Sequence, residues 1–243
     1  MGNNKKSGRH KPTGLEILYE DPDVIVINKE AGVLSCPTRH RERFTAENTL
    51  TTYLRKGSEL SRKRAYLVHR LDRDTSGVMV FAKSRDAWEA LKKDWKSTEK
   101  LYLAAVRGHV EKARGEMRSY VVEDFDLLVR SVEDPEEEGG CLAVTRYAVK
   151  GEAHGVSMVK VKLLTGRKNQ IRVHFAESGH PVVGDVKYSP SEVYKQRLCL
   201  HAKTLAFNHP RTGKRMEFDA GIPPQFLRLA RGFSEKDWEE TRI

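Results

Sequence analysis

The order of apolar and polar positions divides the chain into short elements. LEILYE and VIVINKEAG are two apolar runs broken by Asp21-Pro22-Asp23, and Val24 to Ile27 is a continuous β-branched run suited to a buried strand. Asn48 to Arg55 reads as a short helix. Tyr66 to His69 and Gly77 to Lys83 read as strands on either side of the polar segment RLDRDTS. Between Asp86 and Lys96, Trp88, Leu91 and Trp95 fall at i, i+3 and i+7, which predicts a helix with one apolar side. Leu101 to Gly108 returns to strand. Val132 to Gly140 is the most acidic stretch, and its Pro135 and paired glycines predict an exposed turn. LAVTRYAV and VSMVKVKLL alternate every second residue, with Val159, Val161 and Leu163 on one face and Met158, Lys160 and Lys162 on the other. NQIRVHFAESG predicts a short helix closed by Gly179, and LCLHAKTLAF predicts a strand. PPQFLRLARGF and SEKDWEE predict C-terminal helices, the second opened by Ser234 with Asp237 three residues on. Strands outnumber helices and follow no regular βαβ rhythm. The expected fold is therefore α+β, a mixed, mostly antiparallel β-sheet flanked by helices and loops.

Composition bounds this picture. With 243 residues, 38% of them apolar, the chain can bury a core, and no apolar run reaches the roughly 20 residues of a membrane helix. The division expected is a basic, flexible arm over residues 1–14 and one domain over residues 15–243. Neither a secretory signal nor a myristoylation site is read at the start, because Lys6 stands where the latter needs Ser or Thr. Cys36, Cys141 and Cys199 are too few and too scattered for a disulfide framework. A soluble, cytoplasmic protein is expected, and a monomer is assumed. The formal charge of +10 is uneven. Ten basic residues lie between Arg39 and Arg73, Arg62-Lys63-Arg64 among them, against four acidic ones. Such a stretch suits a polyanion, and it also suits a solvated basic face.

The densest polar cluster is His69-Arg70-Leu71-Asp72-Arg73-Asp74-Thr75-Ser76-Gly77, set between two apolar strands. A hairpin turn uses Asp, Thr, Ser and Gly, but it does not call for two arginines, a histidine and two carboxylates together. Asp72 and Asp74, two apart in an extended segment, would stand roughly 7 Å apart on one side. That spacing brings glycosidic-bond chemistry within reach, including hydrolysis. A second cluster, Thr165-Gly166-Arg167-Lys168-Asn169-Gln170-Ile171-Arg172-Val173-His174, puts three cations near a helix start, where anions are favoured. There is no Walker loop, no H-E-x-x-H, no Cys/His set at ligand spacing and no G-x-S-x-G elbow. Nucleotide hydrolysis, a metal site and a serine nucleophile are therefore not expected. His69, His174 and His201 read as hydrogen-bonded structural residues. Tyr102, in an apolar strand after Glu99-Lys100, needs no function of its own.

Taken together, these segments resemble the RluA family of RNA pseudouridine synthases. The signature is His69-Arg70-Leu71-Asp72 followed by Thr75-Ser76-Gly77. Around it, in family order, stand Tyr19-Glu20-Asp21, Lys100-Leu101-Tyr102, Leu164 to Arg167, Gln170 to His174, Gly179-His180-Pro181, Gly184-Asp185, Tyr188, and Leu198 through Pro210. The match runs from about Leu15 to Ile222. Asn169 stands where the family often has His, and the residues before Leu15 are too few for the S4-type RNA-binding domain of many relatives. Substrate choice would then fall to the catalytic domain and its basic flanks.

The resemblance implies the pseudouridine synthase catalytic fold and isomerisation of a uridine in RNA, ribosomal or transfer, without cofactor or metal. It implies Asp72 as the catalytic carboxylate, Arg172 as its arginine partner and Tyr102 as the aromatic stacked on the target uracil. Arg70 would help fill the gap left by the extruded base, Arg167 and Lys168 would meet phosphates, and Arg62, Lys63 and Arg64 would form part of a landing surface. Two other classes stay open at this point: an N-glycosidic-bond hydrolase acting on RNA through Asp72 and Asp74, and a non-catalytic RNA-binding module.

Overall fold

The computed structural model describes residues 12–243 except 57, 59, 126–127, 190–195, 231 and 240–242. The basic arm expected over residues 1–14 falls mainly outside the described residues. In chain order the elements are β1 (Leu15–Glu20), β2 (Val24–Lys29), α1 (Ala46–Arg55), β3 (Tyr66–Leu67), β4 (Ser76–Ala82), α2 (Arg85–Lys93), β5 (Glu99–Arg107), β6 (Arg114–Glu123), β7 (Val129–Val132), α3 (Pro135–Glu138), β8 (Cys141–Ala153), β9 (Val156–Leu163), α4 (Gln170–Glu177), β10 (Leu200–Asn208), β11 (Arg215–Asp219), α5 (Pro224–Leu229) and α6 (Glu235–Glu239).

The strands form one sheet in the order β1-β2-β4-β10-β5-β9-β8-β6-β7, with β11 added to β10 and β3 to β4. Every pairing of these strands is antiparallel except β4 with β10, where Ser76 and Gly77 face His201 and Ala202. The α+β class with a mostly antiparallel sheet is the observed one. Among the described residues no helix is long and apolar enough to cross a membrane.

Both faces of the central strands are buried, because alternate side chains meet different helices. Ile25, Ile27, Met79, Phe81, Tyr102, Ala104 and Val159 pack beneath Leu50 of α1 and Ile171 and Phe175 of α4. On the opposite face Val24, Val26, Val78 and Val80 meet Ala87 and Leu91 of α2. There too Leu103, Ala105 and Met158 meet Phe226 of α5 and Trp238 of α6. The alternation in β9 thus separates two cores. Lys160, on the second, is buried, donates from Nζ to the Trp238 carbonyl at 3.0 Å and lies 4.5 Å from that ring's centre.

Strands β6, β7 and β11 were not read from the sequence, and three elements that were read differ in extent or form, each for a local reason. The helix over Asp86–Lys96 ends at Lys93 and continues as a 3-10 turn over Trp95–Ser97. There the Asp94 carboxylate accepts from Asn208 Nδ2 at 2.9 Å, and Trp95 leaves the helix face to stack on His69, ring centres 4.7 Å apart. The strand over Tyr66–His69 keeps two residues, because His69 Nε2, not a backbone carbonyl, accepts from the Val80 amide at 3.2 Å. The acidic turn contains one helical turn, Pro135–Glu138, opened by the Glu136 amide donating to Asp134 Oδ1 at 3.0 Å.

Candidate active site

The polar signature becomes the loop that enters β4, and its position is over-determined. Lys29, at the end of β2, has no exposed surface, and its Nζ donates to the carbonyls of Glu30 (3.0 Å), Val33 (2.7 Å) and Arg73 (3.0 Å). Burial pulls the Lys29 pKa down to about 8, with the charges of Asp74 and Asp72 pulling the other way. Ser35 Oγ donates to the Leu71 carbonyl (2.6 Å) and accepts from the Leu71 amide (3.0 Å). Where the loop enters the sheet, Ser76 Oγ is held by His201 Nδ1 at 2.8 Å and Arg197 Nη2 at 3.0 Å. Gly77 has φ of 122°, and a Cβ there would lie 2.2 Å from the Ala202 carbonyl oxygen, so only glycine allows β4 to meet β10 at this point.

Two other elements complete the site. Arg172, on α4, aims a two-pronged bond at Asp185: Nε to Oδ2 at 2.7 Å and Nη2 to Oδ1 at 2.6 Å. The Asp185 side chain is fully buried, and its Oδ1 also accepts from the amides of Lys187 and Tyr188 at 3.0 and 3.1 Å. The third nitrogen, Nη1, lies 3.1 Å from Asn169 Oδ1 and 3.6 Å from Asp72 Oδ2. Burial works against the guanidinium, but the hydrogen bonds and charge of Asp185 outweigh it and raise its pKa. Among the described residues no hydrogen bond reaches the Asp72 carboxylate, which keeps 24% of its side chain exposed. Tyr102, from β5, is buried. Desolvation and the charge of Asp72 push its phenol pKa well up, so its hydroxyl stays protonated.

Asp72, Arg172, Tyr102, Arg70 and Arg167 therefore share one narrow cleft, of about 60 Å³. Lys168 does not line it and is paired with Glu123. Arg62, Lys63 and Arg64 precede β3, whose Tyr66 pairs with Ala82 at the far end of β4 from Asp72. None of the three lines the cleft. Arg64 there contacts Glu47 at 3.5 Å. Asp74 is half-exposed, lies 3.3 Å from Arg73 Nε and does not line the cleft.

The bidentate partner of Arg172 is Asp185, not Asp72, and the sequence reading missed this. Asp185 was visible only as part of a Gly184-Asp185 pair, and Lys29 only as the end of a strand. Asn169 holds Arg172 through Oδ1 and Tyr188 through Nδ2 (3.0 Å to the hydroxyl), so the residue in the usual histidine position is a working part of the scaffold. The histidines are structural: His174 contacts Ser119 and Thr145, and His69 and His201 are held by burial near pKa 3, neutral at physiological pH.

A second carboxylate cluster lies at the turn between β1 and β2. Asp21, Asp23 and His209 bring potential ligand atoms within 4.8 Å of one another. Each is already engaged. Arg211 grips Asp23 at 2.7 and 2.5 Å, while Asp21 accepts from Tyr19 (2.9 Å), from two amides and faces His209 Nε2 (2.8 Å). This is a clamp between the β1–β2 and β10–β11 turns.

A sequence model described as RNA pseudouridylate synthase matches residues 23–177. An RNA pseudouridine synthase of Bacillus subtilis, YjbO, is 36% identical over 225 residues, which is 91% of this chain and 77% of that protein. The dual-specificity RNA pseudouridine synthase RluA of Haemophilus influenzae is 35% identical over 213 residues, 85% of this chain and 92% of that one. The solved structure of human RNA pseudouridylate synthase domain containing 1 superposes with a TM-score of 0.69 at 28% identity, covering 90% of this chain and 87% of that one. Likeness at this level over most of the sheet, with the signature loop held at one cleft, means that the chain belongs to the RNA pseudouridine synthase family and isomerises uridine in RNA.

Proposed function

We propose that the chain converts a specific uridine in a structured RNA, ribosomal or transfer, to pseudouridine in the cytoplasm, and that Asp72 is its catalytic carboxylate. In that reaction the N1–C1′ bond breaks, the base turns, C5 bonds to C1′, and the C5 proton is lost as N1 gains one. Atoms balance without hydrolysis or a consumed cofactor. Whether the carboxylate attacks C1′ or removes a sugar proton, it must be ionised with a free oxygen. The observation that carries this reading is the 3.6 Å approach of Arg172 to Asp72, with the arginine's fork already locked on Asp185. The guanidinium stands beside the carboxylate without covering it.

Tyr102 would stack on the extruded uracil, offsetting roughly 1–3 kcal/mol of the few kcal/mol that extrusion costs. Its protonated hydroxyl would serve the late proton transfer at C5. Arg70 would fill the space left in the RNA, and Arg167 would meet a phosphate. The hydrolase alternative loses support, since Asp74 stands outside the cleft.

The test is deletion of the gene in its host, with pseudouridines mapped across total RNA. Wild type should restore the lost site, and Asp72→Asn should restore none while binding RNA normally. Modification by Asp72→Asn at an undiminished rate would overturn the assignment.

A further inference from the structure

The cleft at Asp72 does not end at Arg167. Leu163 and Arg167 also line a groove of about 670 Å³ that runs between the 3-10 turn with the start of β5 on one side and the loop after β9 on the other. Five cations line it: Lys96, Lys100, Lys162, Arg167 and Arg215. Its one carboxylate, Glu99, is paired with Lys162, so the groove carries a clear positive excess. Arg215 is anchored through Nη1 to the Ser97 carbonyl at 3.2 Å, and Arg167 through Nε to the Leu142 carbonyl at 3.0 Å. Cations held this way lose less freedom when they meet a ligand. The groove is not wholly polar. Leu164 exposes 43% of its surface there, and Trp95, half-buried, contributes an indole backed by His69.

A positively charged channel with apolar side chains along it fits a single nucleic-acid strand: phosphates meet cations, and unstacked bases find apolar surface. A base swung out of its helix leaves its neighbours on the strand unstacked, beside the cleft mouth. We propose that this groove, rather than the Arg62–Arg64 segment, docks the single-stranded RNA adjoining the target uridine. The proposal rests on the reading that the uridine enters the Asp72 cleft. Lys96, Lys100, Arg167 and Arg215 take the phosphates, and Leu164 and Trp95 take the bases. The roughly 660 Å³ groove beside Asp21 and His209 offers no equivalent, because its cations Arg211, Lys214 and Arg215 are balanced by Asp21, Asp23 and Glu217, with Arg211 already closed on Asp23.

The experiment measures binding of a fluorescent oligouridylate to the full chain by anisotropy over a range of salt concentrations. Each lost phosphate contact lowers the slope of log affinity against log salt by about 0.7, so Lys96→Gln with Arg215→Gln should lower it by about 1.4 and weaken binding about tenfold. Arg62→Gln, Lys63→Gln and Arg64→Gln together should leave the slope within about half of one contact's effect. Because Arg215 also anchors the turn, Lys96→Glu alone, at an exposed position, is the second variant and should weaken binding with an unchanged circular dichroism spectrum. A wild-type slope in both groove variants would overturn the proposal. So would an equal loss of affinity for a fully paired RNA duplex, which would make the groove a stem-binding surface. Binding is read without turnover, so failure here is separable from failure of the Asp72 assignment, which the modification map decides.

Discussion

Among the described residues two arginine forks close on an aspartate, and the contrast between them separates a site from a staple. At the β1–β2 turn the Arg211 fork closes on Asp23, and both carboxylate oxygens are spent at 2.7 and 2.5 Å. At the cleft the Arg172 fork closes on Asp185 instead, and Asp72 is left at 3.6 Å from the third nitrogen. A third, buried partner for the arginine converts a saturated ion pair into a charged carboxylate with free oxygens. The residue types are the same, and what differs is where the fork is spent.

The strongest way to break the comparison is to remove each aspartate's charge. Asp72→Asn should abolish turnover, by about 10³-fold or more, with little change in melting temperature, whereas Asp23→Asn should leave turnover within about twofold and cost roughly 1–3 kcal/mol of stability. Single-turnover kinetics and thermal unfolding on the same two variants decide it. Next in size, Asp185→Asn should free the Arg172 fork to close on Asp72. The expected loss is about 10–100-fold in the single-turnover rate, with RNA affinity kept. A wild-type rate would mean that the fork's direction does not matter. Arg172→Lys, which cannot make the fork, should fall in the same range.

How much of this was legible from sequence follows from what a linear reading can see. The loop at His69–Gly77 announced itself, because its polar residues sit between apolar strands, and Arg172 and Tyr102 came with the family pattern. Asp185, Lys29 and Ser35 did not stand out, since their roles lie in bonds to residues well separated along the chain, such as the 44-residue step from Lys29 to Arg73. Charge counting along the chain grouped Arg62–Arg64 with Arg70 by adjacency, while of these only Arg70 lines the cleft. It also passed over Lys96, Lys100 and Arg215, which only folding brings together. The alternation of β9 was read correctly, but two-sided burial depends on helices that arrive some 60 residues later, as Phe226 does.

Smaller effects sharpen the contrast. Tyr102→Phe keeps the ring and removes a hydroxyl, so it should slow the last proton step by about tenfold while RNA affinity stays within about twofold. Equal rates would remove the hydroxyl from the chemistry. Stability should also fall in acid. His69 and His201 are held near pKa 3 when folded against 6.5 ordinarily, so the unfolded chain binds more protons between those values. The stabilisation is complete above about pH 6.5 and is lost as pH drops towards 3, at up to roughly 1.4 kcal/mol per pH unit for each histidine. His201→Gln should flatten that slope in denaturant titrations.

The parallel step between β4 and β10 has a consequence in time. Ser76 leans on His201, 125 residues further along the chain. At ordinary elongation speeds a ribosome releases the first roughly 6–25 s before the second. Through that interval β4 has β2 beside it but lacks β10, and for most of it Arg172, 100 residues beyond Asp72, is missing too. Catalytic competence therefore arrives late in synthesis, and an unfinished chain beside a ribosome full of uridines carries no reactive cleft.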